Sequence, residues 1–120
     1  MLSDFNLTRQ RAVFAAPSGL LASVVEMALA DGARGILCDF EPSPTGADPA
    51  VPADGAAYAA FIAAFADACH AAGLVAGVAV ATWSPLWDYA LLSATPADYF
   101  VDMQMYEGTQ VRLGGRLRYQ

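Results

Sequence analysis

Short β-rich runs and helical stretches alternate along this chain, and few folds accept that order. Arg11 to Ala16 (RAVFAA) reads as a first strand, closed by Pro17, Ser18 and Gly19. Ser18 is placed to cap a helix from Gly19 to Ala30, in which Leu20, Leu21, Val24, Val25 and Ala28 recur at helical spacing and Gly32 supplies the stop. Arg34 to Glu41 (RGILCDFE) reads as a second strand, because Ile36, Cys38 and Phe40 alternate with Leu37, Asp39 and Glu41. The segment Pro42 to Pro52 holds four prolines in eleven residues and predicts a long loop leaving that strand. Asp54 is the expected cap of the next helix, whose face is marked by Tyr58, Phe61, Ile62, Phe65, Cys69 and Ala72 before Gly73 ends it. Val75 to Trp83 predicts a third strand, Leu86 to Thr95 a short helix and Tyr99 to Tyr106 a fourth strand. The expected class is α/β: about four parallel βα units joined by right-handed crossovers, a partial (β/α)8 TIM-barrel segment with helices on one face.

Charge narrows the chemistry. Twelve acids against six bases give a net charge of −6, so the chain repels a phosphate backbone and no nucleic-acid partner is expected. All six bases are arginines, which excludes Schiff bases and the lysine of phosphate-binding loops. The first ten residues lack the pattern of a secretory signal, and no apolar run reaches the roughly 18 residues of a membrane helix, so no membrane partner is expected. Cys38 and Cys69 have no CxxC spacing and read as buried thiols, not as metal ligands. No metal or other cofactor is expected.

Candidate chemistry sits at the strand ends. Residues two apart on a strand share a face, so Asp39 and Glu41 point together, away from Ile36, Cys38 and Phe40. With the apolar set against the helices, the two acids lie on the inward face at the carboxyl end of a parallel strand, where (β/α) barrels place catalytic groups. Two neighbouring carboxyls in a partly dry site do not both ionise freely, so one is expected to keep its proton and act as a general acid. By the same alternation Asp102, Gln104 and Tyr106 share one face of the last strand, and that face is expected inward. On the third strand Ala79, Ala81 and Trp83 are expected inward, leaving a hollow under an indole. His70 reads as a boundary residue, and Asp67, Asp88 and Asp98 as solvated or capping acids.

The stretch Arg34-Gly35-Ile36-Leu37-Cys38-Asp39-Phe40-Glu41, the helix YAAFIAAFADACHAAG and the strand VDMQMYE together resemble glycoside hydrolase family 18, the chitinases and endo-β-N-acetylglucosaminidases. The family's acidic motif D-x-x-D-x-D-x-E survives here as its final D-x-E, Asp39 and Glu41, with Arg34 and Leu37 at the places of the first two acids. The likeness runs from about Val13 to Glu107 and covers strands three to six of the eight-stranded barrel. It implies hydrolysis of N-acetylglucosamine-containing glycans by substrate-assisted retention. Glu41 would protonate the leaving oxygen, Asp39 would orient the acetamido group whose oxygen attacks the anomeric carbon, and Tyr106 would donate to its carbonyl. Gln104 would be a supporting hydrogen-bonding group; alternation, not the resemblance, adds Trp83 as a candidate wall of the sugar site and Asp102 as a further sugar-binding residue.

A complete barrel of this kind needs about 250 residues, against 120 here. Residues 1–107 are therefore expected to be a half-barrel segment, incomplete alone and prone to self-association through its open edge, and 108–120 an arginine-bearing tail. Two other readings stand beside the hydrolase: a non-catalytic carbohydrate-binding or interaction relative, and a divalent-metal enzyme using Asp39, Glu41 and Asp102 as oxygen ligands.

Overall fold

A computed structural model describes residues 1–42 and 48–103. The elements run β1 (Leu2–Asp4), α1 (Leu7–Ala15), α2 (Ser18–Ala30), β2 (Gly35–Phe40), α3 (Pro52–Ala71), β3 (Val75–Val80), α4 (Tyr89–Ser93) and β4 (Tyr99–Asp102). The fold is α/β, as expected: four parallel strands in the order β1-β2-β3-β4. Each crossover steps the same way across the sheet, which puts the connecting helices on one face when every crossover is right-handed. The contacts agree, since α1, α2 and α4 all pack on α3.

The first unit differs from the expectation. Arg11 to Ala16 is not a strand; it lies mostly within α1, whose start is fixed by the Asn6 side chain accepting the Arg9 N–H at 3.0 Å. A six-residue apolar run fits either period, and Leu7, Gln10, Val13 and Phe14 recur here at helical spacing against the core. The strand of this unit is Leu2–Asp4, three residues long and too short to register as alternation. Pro17, with no amide hydrogen to give, separates α1 from α2, and the two helices meet at 99°.

Other boundaries move by a few residues. The α2 helix begins at Ser18 after Pro17, with no side-chain cap, so Ser18 is not the cap. The α3 helix begins at Pro52, whose fixed φ suits a first helical position. Asp54 is consequently the third residue of that helix, and its carboxylate accepts the Val51 N–H at 2.8 Å. Helices α2 and α3 stop alike: Gly32 and Gly73 take φ of 71° and 75°, and Ala33 and Leu74 donate back to Ala28 and Cys69. The short helix is trimmed to Tyr89–Ser93, with Asp88 as its cap.

The core lies between α3 and the sheet. Ile36, Cys38 and Phe40 from β2 meet Ala76, Val78 and Val80 from β3 on one face, against Tyr58, Phe61, Ile62, Phe65 and Cys69 of α3. Phe14, Phe40, Tyr58, Phe61 and Phe65 form a continuous aromatic cluster with ring centroids 5.4 to 6.4 Å apart. Cys38 and Cys69 are both free and buried, and burial pushes the Cys38 thiol up to about 12. At the amino ends of the strands Asp98 accepts the Ala76 N–H at 2.7 Å and pairs with His70 at 2.8 Å.

Candidate active site

The β2 strand delivers Asp39 and Glu41 as the alternation requires. Its burial alternates, with Ile36, Cys38 and Phe40 buried and Leu37 and Asp39 half-buried. Register carries that parity across the sheet. Ser3 lies beside Asp39, Leu37 beside Gly77, Gly77 beside Tyr99 and Ala79 beside Val101. One face therefore carries Ser3, Asp39, Gly77, Ala79, Tyr99 and Val101, and it is the face opposite the aromatic core. The Tyr99 ring lies across Gly77, where a Cβ would fall 2.3 Å from the ring.

Asp39 and Glu41 interact directly. Burial raises the Glu41 carboxyl above the ordinary glutamate range, and the neighbouring Asp39 adds to this through its charge and a side-chain hydrogen bond. Asp39 Oδ1 is buried and has no hydrogen-bond partner. Two neighbouring carboxyl groups, one of them with an unengaged buried oxygen, thus stand at the carboxyl end of a parallel strand.

Backbone contacts hold Glu41 in place. Its N–H donates to the Asp4 carbonyl at 2.9 Å, continuing the β1–β2 ladder by one rung. Its carbonyl accepts from Gln10 Nε2 at 2.8 Å, and the same nitrogen donates to the Asp4 carbonyl at 2.9 Å. Gln10 is wholly buried on α1. Beside it Arg11 makes a two-pronged ion pair with Asp54, Nε to Oδ1 at 2.8 Å and the terminal nitrogen to Oδ2 at 2.9 Å, and a further contact to Asp48. The Arg11 guanidinium holds the Asp54 carboxyl below its usual range. Reading RAVFAA as a strand hid these residues; on a helix, Gln10 falls three positions after Leu7 on the inner face.

Two expected site residues stand elsewhere. Asp102 pairs in register with Val80, whose side chain is in the core, so it projects to the helix face and not beside Asp39. There it joins Val80, Tyr89, Leu92, Ser93 and Phe100 around an apolar cavity of about 230 Å³. Without Asp102 the three-carboxylate metal set is not assembled, and among the described residues no group of three or more His, Cys, Asp or Glu side chains converges. Trp83 follows the end of β3 at Val80, so strand alternation does not set its direction. It is half-buried in the 81–88 connection, its ring 4.8 Å from that of Trp87 and nearly perpendicular to it. Trp87, which the sequence reading passed over, is buried with its Nε1 unpartnered. Ala79 and Ala81 are buried, and the expected hollow under Trp83 is not what they line: the apolar cavity described above lies on the other face of the sheet. Gln104, Tyr106 and the 108–120 tail lie outside the described residues.

Comparison of the chain with protein-family models, with curated proteins and with solved structures finds no significant match.

Proposed function

We propose that Asp39 and Glu41 are the acid site of a glycoside hydrolase-like segment, part of a (β/α)8 TIM barrel, acting on N-acetylglucosamine-containing glycans of the chitin type. The observation that carries the reading is the pair of neighbouring carboxyl groups on the face away from the helices, with Asp39 Oδ1 buried and unpartnered and Glu41 raised above the ordinary glutamate range by burial and by Asp39. The one-directional strand order is the order of successive barrel strands, and the D-x-E of β2 is the surviving part of the family 18 motif.

In this mechanism Glu41 gives its proton to the leaving glycosidic oxygen as the bond to the anomeric carbon breaks. The sugar's own acetamido oxygen forms the new bond to that carbon; water then attacks the same carbon, giving its proton to the Glu41 carboxylate as the bond to the acetamido oxygen breaks, with net retention. Asp39 Oδ1 accepts the acetamido N–H, which raises the nucleophilicity of the amide oxygen. Tyr106 donates to that amide and Gln104 supports it, while Trp83 is a candidate wall for the sugar ring. The roles of Tyr106 and Gln104 rest on the resemblance, and that of Trp83 on its place in the connection that follows β3.

The test is binding of a chitin oligosaccharide followed by hydrolysis in a barrel that contains this segment, each with and without a chelator. Glu41→Gln is expected to keep binding and to abolish hydrolysis, because the amide retains shape but has no acidic proton. Full hydrolysis by that variant overturns the acid role. Binding without hydrolysis by the unmodified barrel supports the non-catalytic carbohydrate relative, and loss of activity with chelator contradicts the metal-free mechanism. The 120-residue chain is expected to self-associate through its uncovered sheet face and edges. Light scattering at low micromolar concentration reads this directly, and a monomer contradicts it.

A further inference from the structure

We propose that Gln10 is a positioning residue for Glu41, an inference that rests on the acid role given to Glu41 above. The carbonyl of Glu41 is the first one past the end of β2, and β1 ends at Asp4, so the sheet offers it no strand partner there. Gln10 supplies the missing donor. Its amide nitrogen bridges the Asp4 carbonyl at 2.9 Å and the Glu41 carbonyl at 2.8 Å, while the Glu41 N–H reaches the same Asp4 carbonyl at 2.9 Å. Both backbone polar groups of Glu41 are therefore fixed, one by β1 and one by α1, and its side chain is held on the Asp39 side of the strand.

The direction of the Gln10 amide follows from chemistry. Turned over, its oxygen would face two carbonyl oxygens with no proton between them. The other end, Oε1, is buried without a partner, an unfavourable placement that the two donated bonds offset. A glutamine fully buried at the cost of an orphaned acceptor is fixing backbone, and the backbone it fixes carries Glu41.

The chain has three glutamates, Glu26, Glu41 and Glu107, so the Glu41 carboxyl is readily followed by carbon-13 NMR as pH is varied. Gln10→Met keeps length and removes both donors. In that variant the Glu41 titration midpoint is expected to fall toward the ordinary glutamate range, as the side chain leaves Asp39. Leu21→Ala, a core truncation on α2, serves as control and is expected to lower stability while leaving the Glu41 midpoint where it is. An unchanged midpoint in Gln10→Met, or an equal shift in Leu21→Ala, overturns the positioning role. Should Gln10→Met not fold, Gln10→Asn, which draws the amide back by one methylene, takes its place with the same expected and contrary results. The titration uses no sugar, so it fails or succeeds independently of whether the chain proves to serve a hydrolase.

Discussion

The two faces of the sheet are built on opposite priorities. On the helix face Phe40, Tyr58, Phe61, Ile62 and Phe65 are almost completely buried. They account for much of the apolar burial that stabilises the fold. On the other face Gly77 and Ala79 contribute little side-chain surface and two carboxyl groups are set side by side, while edge strand β4 is exposed on both faces, Phe100 at 40% as well as Tyr99 and Val101 at 45% and 41%. The first face stabilises the chain; the second sets Glu41 beside Asp39 at a cost to its charged form.

Equivalent damage to the two faces separates them. Phe61→Ala is expected to cost about 3–5 kcal/mol, the range for a fully buried aromatic truncated to a methyl, and to unfold a chain of this size at moderate temperature. Urea denaturation measures it, and a loss below about 1 kcal/mol breaks the assignment of the core to this face. Asp54→Ala comes next, at about 1–2 kcal/mol, since it removes the two-pronged Arg11 pair and the Val51 N–H acceptor together. The sign of its pH dependence is fixed. Asp54 is lowered in the folded state, so its contribution is complete above the ordinary aspartate range and is lost as pH falls through the folded value. The deficit of Asp54→Ala relative to the unmodified chain should therefore shrink in acid. Val101→Ala, on the open face, is expected to cost only about 0.5 kcal/mol; a loss near that of Phe61→Ala indicates that this face is covered in solution.

Glu41→Gln should act in the opposite direction. Its carboxyl is raised in the folded state, so the protonated form favours folding below the ordinary glutamate range and that advantage disappears as pH rises through the folded value. At neutral pH the amide relieves the repulsion with Asp39, and the variant is expected to be more stable by roughly 0.5 kcal/mol, the size of a partly exposed charge interaction. The gain should vanish when both chains are compared in acid. A destabilised Glu41→Gln at neutral pH contradicts the trade between the faces.

The sequence showed the elements best where strands are long and sandwiched. Alternation over Gly35–Phe40 and the apolar stripe of Pro52–Ala71 identified β2 and α3 to within a few residues, and the placement of Asp39 and Glu41 together followed from spacing alone. The first unit was harder to read because β1 has only three residues and α1 nine, too few for either period to declare itself. Asp102 teaches a different lesson. Alternation says which residues share a face of a strand, but only the register with a neighbour says which face it is, and Val80↔Asp102 reverses the assignment that apolar content suggested. Trp83 escaped for a third reason: β3 stops at Val80, three residues short of it. Gln10 escaped because a polar residue that satisfies backbone carbonyls leaves no motif in sequence.

The account turns on the carboxyl pair, and the most direct measurement is the carbon-13 titration of Glu41 in the unmodified chain and in Asp39→Asn. The unmodified chain should titrate Glu41 above the ordinary glutamate range, and Asp39→Asn should lower the midpoint, because the neighbouring charge is gone and the new amide donates to the Glu41 carboxylate. A Glu41 that titrates as an ordinary glutamate in both chains would mean that neither burial nor Asp39 acts on its carboxyl, and would remove the basis for an acid site on this face.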